Sequence, residues 1–244
     1  DDVLKELADL YNYIEMVGAW PVQIMINIIV LMGKPGGGVR PIALMPMIYR
    51  IWTKIRKPYI DMWCQDNKGP WDAAVRGSSA LRAGLLSLFG DELAGLSGEQ
   101  AAAILWDMAK FYDNICLCKL VEEIIETEYP GIIGVLGLIM HLAPRVIKAY
   151  DNFIIVPGLP TNGIIAGCTQ SNRFARVLLY RLLKKVYTGN PSDGDLRMGI
   201  RSFVDDIRQD ARGDGDMVVS GLAQAGVELH TALTDQGNIV SSSK

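Results

Sequence analysis

The chain has two histidines in 244 residues, His141 and His230, too few for a histidine-based metal site. Its four cysteines, Cys64, Cys116, Cys118 and Cys168, show no Cys-x-x-Cys spacing, so zinc is unsupported and a reduced, intracellular setting is expected. Long hydrophobic runs are also missing. Val22–Met32 and Gly131–Leu142 are each too short to span a bilayer, and Asn27 interrupts the first, so no membrane partner is expected. The opening DDVLKELADL is acidic and helix-patterned, unlike the basic start of a signal peptide. No internal repeat and no linker divides the chain. The net charge of −3 argues against indiscriminate polyanion binding over the whole surface.

What the chain does have is apolar mass. Half of its residues are hydrophobic and 21% are charged, enough for one large domain or two tightly fused subdomains with a sizeable core. Charge is unevenly spread. Residues 34–90 carry nine Lys or Arg against three Asp, a net of +6. A basic section in an otherwise acidic chain suits a surface that grips phosphates, or simply a solvated helix face.

Periodicity predicts helices over residues 3–17, 48–60, 79–93, 114–128, 171–187 and 216–234. Residues 22–32 read as a buried strand, and KPGGG turns the chain into a returning strand over Val39–Leu44, with Lys34 and Arg40 near the tip. Glycines there let a backbone approach a polyphosphate, and the two cations suit its charge, although a plain hairpin needs no ligand. Ala101–Trp106 reads as a strand that delivers Asp107, and Asn238–Ser243 as a final strand. Residues 131–157 mix helix and strand signals.

The organising stretch is Ile200–Gly213, IRSFVDDIRQDARG. It reads as strand, tight turn, strand, with Asp205 and Asp206 at the tip between apolar flanks. Alone, an Asp pair is a solvated turn, and Asp1-Asp2 lacks those flanks. Carboxylates held together raise each other's pKa unless a cation stands between them, and hard oxygen ligands suit Mg²⁺ or Mn²⁺. If the Asp107 strand and the Asp205–Asp206 hairpin share an antiparallel sheet, three carboxylates surround one point, enough for two ions and in-line phosphoryl transfer.

The order of segments resembles the reverse transcriptase domain of non-LTR retrotransposons and related retroelements, over about residues 18–244. KPGGGVRPIALMPMIYRIWTKI is similar to the fingers motif, one glycine longer, and AVRGSSA to the next fingers motif. WDMAKFYDNI resembles the first palm motif, Asp-x-x-x-x-aromatic-Asp. GIIAGCTQS is similar to Gly-x-Pro-Gln-Gly-x-x-x-Ser, with Gly163, Gly167 and Ser171 in register and Ile165-Ala166 in place of Pro-Gln. FVDDI resembles aromatic-x-Asp-Asp, and IVSSSK the start of the motif that follows.

The resemblance implies an α+β fold of polymerase fingers and palm, an antiparallel palm sheet backed by helices, without the thumb. Residues 1–100 would be an N-terminal helix and fingers, and 101–244 a palm with a fingers-like insertion around 131–157. It implies an RNA-directed DNA polymerase using two Mg²⁺ (or Mn²⁺), an RNA template, a DNA primer and dNTPs. Asp107, Asp205 and Asp206 with the Met108 carbonyl would hold the metal. Tyr112 would lie under the sugar and exclude a 2′-hydroxyl, Lys34 and Arg40 would hold the triphosphate, and Gly163 and Gly167 would pass close to the base pair. Lys244 would protonate pyrophosphate, and Asp113 would cap the next helix. By residue type alone, Tyr112 is a core aromatic and Lys244 a terminal residue. The missing thumb implies a piece of a longer protein, acting in cytoplasm or nucleus. The rival readings are a co-opted module that binds nucleic acid without catalysis, which Ile165-Ala166 suits, and an RNA-dependent RNA polymerase, which Tyr112 opposes.

Overall fold

The computed structural model describes residues 2–189 and 195–241. Two sheets carry the architecture. The first has four strands in the order β2-β1-β4-β5, the second three in the order β3-β7-β6.

The first sheet begins after α1 (Asp2–Val17) and a 3₁₀ turn at Val22–Ile24. β1 (Asn27–Gly33) pairs antiparallel with β2 (Val39–Leu44), in register from Ile28↔Leu44 to Gly33↔Val39. The strand expected over 22–32 therefore starts five residues late. Pro21 leads the chain into the 3₁₀ turn, and the strand starts at Asn27, whose buried side chain donates to the Met140 carbonyl at 2.6 Å. Only the base of the hairpin is buried, and its glycine-rich tip stands in solvent.

α2 (Met47–Asp66) runs past the expected end at residue 60, despite Pro58. Ser79 caps α3 (Ala80–Leu96) by accepting from the Arg82 N–H, where the sequence allows either Ser78 or Ser79 as the cap. α3 turns Ser87 and Asp91 towards the second sheet and leaves Leu81, Leu88, Phe89, Leu93 and Leu96 exposed.

β3 (Gln100–Trp106) leads to α4 (Phe111–Asn114) and α5 (Leu117–Glu126), where one helix over 114–128 was expected. The break has a physical cause: the Ile115 carbonyl accepts from the Gly163 N–H at 2.8 Å instead of continuing a helix. Asp113 accordingly does not cap the following helix. It lies exposed inside α4, and the N-cap of α5 is Cys116, which makes no side-chain cap.

The ambiguous stretch resolves into α6 (Gly131–His141), β4 (Arg145–Ala149) and β5 (Asn152–Ile155). β4 joins β1 in parallel, Asn27↔Arg145 to Val30↔Lys148, so this segment completes the hairpin's own sheet. α7 (Ser171–Gly189) then crosses the core, with Phe174, Val177 and Leu178 fully buried. β6 (Leu196–Phe203) and β7 (Asp206–Gly213) form the acidic hairpin, and α8 (Gly215–Asp235) covers one face of its sheet. The final strand reduces to a single bridge, Met108↔Val240, and residues 242–244 lie outside those described.

Aromatic packing holds the centre. Trp20 meets Tyr49 and Trp52 edge-on, with ring centroids 5.6 and 5.2 Å apart. The Trp20 indole N–H donates to the Leu136 carbonyl, tying the N-terminal segment to α6. Truncating such a ring to alanine costs about 3–5 kcal/mol. Among the described residues no helix is long and apolar enough to cross a membrane.

Candidate functional site

Two strands bring the three aspartates to one end of the second sheet. β3 and β7 are antiparallel, and their register runs to Trp106↔Ile207. One step further along the same register places Asp107 beside Asp206. Across β7, Asp206 pairs with Phe203, closing a two-residue turn of Val204 and Asp205. Trp106 and Ile207 face the side covered by α8, where Ile207 is buried and the Trp106 N–H donates to Gln209 at 2.9 Å. Alternation along a strand then sends Asp107 and Asp206 to the opposite face, which α3 covers in part through Asp91 and Arg208 and where Asp206 is exposed.

The turn is strained. Val204 adopts φ +61°, a region that a β-branched residue occupies only under constraint. Partial burial of Val204 against the main core supplies that constraint. Asp205, half-buried, has its carboxyl pushed above the usual range by desolvation, with the charges of Asp206 and Asp107 acting the same way and its own N–H opposing them. The aspartates thus interact as like charges.

Oxygen donors of this kind suit Mg²⁺ or Mn²⁺, and their repulsion is what a divalent cation relieves. Among the described residues, however, no three His, Cys, Asp or Glu side chains close round a common point as a finished cage. Around Met108, the Asp107 carbonyl accepts from Ser241 and the Ala109 N–H donates to Ile239, while the Met108 side chain is in the core.

Tyr112 stands next to this cluster. Burial and the Asp205 charge push its phenol up to about 12, so it remains a hydrogen-bond donor at neutral pH. Its hydroxyl donates to Asn172 Oδ1 at 2.7 Å, and its carbonyl accepts from the Ile164 N–H at 2.7 Å.

The Gly163–Gly167 loop is lashed to the α4 segment, to α6 and to β2. Besides the bonds to Ile115 and Tyr112, the Ile165 N–H donates to His141 Nδ1 at 2.8 Å, and the Ala166 carbonyl accepts from Ala43 at 2.9 Å. A Cβ on Gly163 would stand 2.6 Å from the Asp113 carbonyl oxygen, and one on Gly167 2.9 Å from that of Ala43. Both glycines also have positive φ, +80° and +99°. Close approach of protein backbone therefore requires them, whatever else the loop touches. His141 is fully buried and held neutral, its pKa pressed down to about 3 by burial and by nearby Arg145.

Lys34 and Arg40 lie exposed at the tip of the other sheet's hairpin, apart from the aspartates. Lys34 shapes the turn through its backbone, which accepts from Gly37 and donates to the Gly38 carbonyl. Lys244 falls outside the described residues.

Sequence reading missed two features. The first is Asn172, whose residue type gives no hint that it would meet Tyr112. The second is a cavity of about 500 Å³ between α2, α7 and the hairpin tip, bordered by Phe203 and Val204. Lys57, Lys68, Arg76, Arg173 and Arg176 line it against Asp61 and Asp72, leaving a net of +3. The basic stretch over 34–90 signalled three of those cations, and α7 supplies the other two.

No protein-family model matches the chain, and no curated protein does. Solved structures do. An apo telomerase from Candida tropicalis truncated from its C-terminal domain superposes with a TM-score of 0.56 at 14% identity, over 100% of this chain and 56% of that one. The apo telomerase from Candida tropicalis gives 0.61 at 13% identity, over 90% of this chain and 43% of that one. A Candida albicans telomerase in complex with a TWJ fragment of telomeric RNA gives 0.58 at 15% identity, over 91% and 42%. The chain spans about half the length of the structures it matches. At these identities the likeness concerns the fold: a reverse-transcriptase-like α+β arrangement of fingers and palm, not a particular class of retroelement.

Proposed function

We propose that this chain carries the fingers and palm of an RNA-directed DNA polymerase of retroelement type, adding dNTPs to a primer 3′-hydroxyl on an RNA template. The observation that supports it most is the β3–β7 register, which sets Asp107 beside Asp206 with Asp205 on the adjoining turn.

Asp107, Asp205 and Asp206, with the Met108 carbonyl, would hold two Mg²⁺ or Mn²⁺. When bound, these ions supply activation of the attacking oxygen and neutralisation of the leaving pyrophosphate. Tyr112 lies under the sugar of the incoming nucleotide and meets a 2′-hydroxyl with its ring. Lys34 and Arg40 reach the triphosphate from the exposed hairpin, and the Gly163–Gly167 loop shapes the floor beneath the new base pair. The basic cavity beside Phe203 takes the nucleic-acid backbone by neutralising its phosphates. Lys244 is the acid for the leaving pyrophosphate. Residues 1–100 act as fingers and 101–244 as palm, with 131–157 lent to the fingers sheet through β4 and β5.

Primer extension on an RNA template, with Mg²⁺ or Mn²⁺ and dNTPs or NTPs, tests this reading. Extension with dNTPs by the wild type, lost in Asp205→Ala, is expected. Extension with NTPs would point to an RNA polymerase instead. Salt-sensitive primer–template binding with no extension, unaltered in Asp205→Ala, would point to a binding module without catalysis.

A further inference from the structure

We infer that Asn172 is a positioning residue for Tyr112, setting how strictly the site rejects a ribonucleotide. The inference rests on the polymerase reading above and assigns to that site a residue outside its metal- and nucleotide-binding set.

A tyrosine rejects an extra hydroxyl only if the ring cannot swing aside, and a side chain tethered only at its Cβ turns about two torsions. Here Tyr112 is fixed at both ends. At the near end, its carbonyl accepts from the Ile164 N–H at 2.7 Å and its ring meets Phe111 edge-on, with centroids 5.5 Å apart. At the far end, its hydroxyl donates to Asn172 Oδ1 at 2.7 Å. Asn172 is well placed to be a fixed post. It is the second residue of α7, between Ser171, whose hydroxyl donates to the Ile165 carbonyl at 2.5 Å, and the buried Phe174. The asparagine amide cannot ionise, so the hydrogen bond adds no charge beside the aspartates.

The contact also couples two regions. Asn172 borders the basic cavity on one side and holds Tyr112 on the other. A strand lying in that cavity therefore adjoins the residue that restrains the ring.

The experiment measures kcat/KM for a dNTP and the matching NTP in wild type, Asn172→Ala, Asn172→Gln, Tyr112→Phe and the double variant Tyr112→Phe/Asn172→Ala. Asn172 is exposed, so its truncation leaves the core alone. Losing one neutral hydrogen bond should reduce discrimination about three- to tenfold in Asn172→Ala and equally in Tyr112→Phe. The double variant should show no further loss, because both changes remove the same bond. Asn172→Gln, which keeps an acceptor amide, should recover part of the discrimination. An unchanged dNTP-to-NTP ratio in both single variants, or additive losses in the double variant, overturns the positioning role while leaving the polymerase reading standing. Absence of any extension by the wild type overturns both.

Discussion

Arg176 and Asp72 meet at 2.7 Å with only 11% and 7% of their side chains exposed, and this pair holds the acidic hairpin in place. The loop carrying Asp72 is stitched to β6, since Ser202 donates to the Trp71 carbonyl and accepts from the Ala73 N–H, both at 2.8 Å. Arg176 also donates to the carbonyls of Cys64 and Asn67, closing the end of α2. Burial outweighs the arginine's charge and keeps the Asp72 carboxyl above its usual range. The pair is therefore costly to form and costlier to break.

Asp72→Ala should destabilise the fold by about 3–5 kcal/mol, by stranding a buried guanidinium. Arg176→Ala should cost at least as much, because two capping bonds go with it. Replacing both by Leu and Met should cost less than the sum. Urea unfolding measures all three, and single losses below about 0.5 kcal/mol would show that the pair is solvated.

Val204 gives a test with an inverted sign. In an ordinary strand glycine is less stable than alanine, by roughly 0.5–1 kcal/mol. At φ +61° an L-residue instead pays on the order of 1–2 kcal/mol. Val204→Gly should therefore be more stable than Val204→Ala by about 1 kcal/mol in urea unfolding. The usual order would mean the turn relaxes in solution.

Gly163→Ala should cost roughly 2–3 kcal/mol, combining positive φ with a Cβ 2.6 Å from the Asp113 carbonyl oxygen. The same substitution at exposed Gly36, which meets nothing within 4 Å, should change stability by less than about 0.5 kcal/mol. Equal effects at the two positions would contradict the close approach of the loop to α4.

His141 makes acid stability predictable. Its folded pKa, about 3, lies below the ordinary 6.5, so the folded state binds fewer protons across that window. Its contribution is present above pH 6.5 and is lost as pH falls towards 3, by roughly 1.4 kcal/mol per pH unit. His141→Gln keeps an acceptor for the Ile165 N–H and removes the titration. As pH drops from 7 to 4.5, unfolding free energies should fall more steeply in the wild type than in the variant, and parallel curves would contradict the buried neutral histidine.

These residues also show what the sequence disclosed. The hairpin at Asp205–Asp206, the strand delivering Asp107 and the helices α1, α7 and α8 follow from period and turn chemistry, which are local. The break between α4 and α5 does not, because it depends on Gly163, nearly 50 residues away in the chain. Residues 131–157 were ambiguous because α6 is apolar nearly all round and β4 is placed by its parallel partner β1, neither of which leaves a one-sided pattern. The cavity and the Tyr112–Asn172 bond are products of tertiary packing, invisible to spacing. Motif resemblance singles out Tyr112 and the two glycines, but not the backbone contacts that demand those glycines.

The central claim is that aspartates from two strands make one cation site. Electron paramagnetic resonance of Mn²⁺ titrated into wild type and Asp205→Ala tests it without relying on turnover. The account predicts bound Mn²⁺ in the wild type that Mg²⁺ displaces, and binding at least tenfold weaker in the variant, in line with the loss of one carboxylate ligand. Equal binding by both proteins, or none by either, would contradict it.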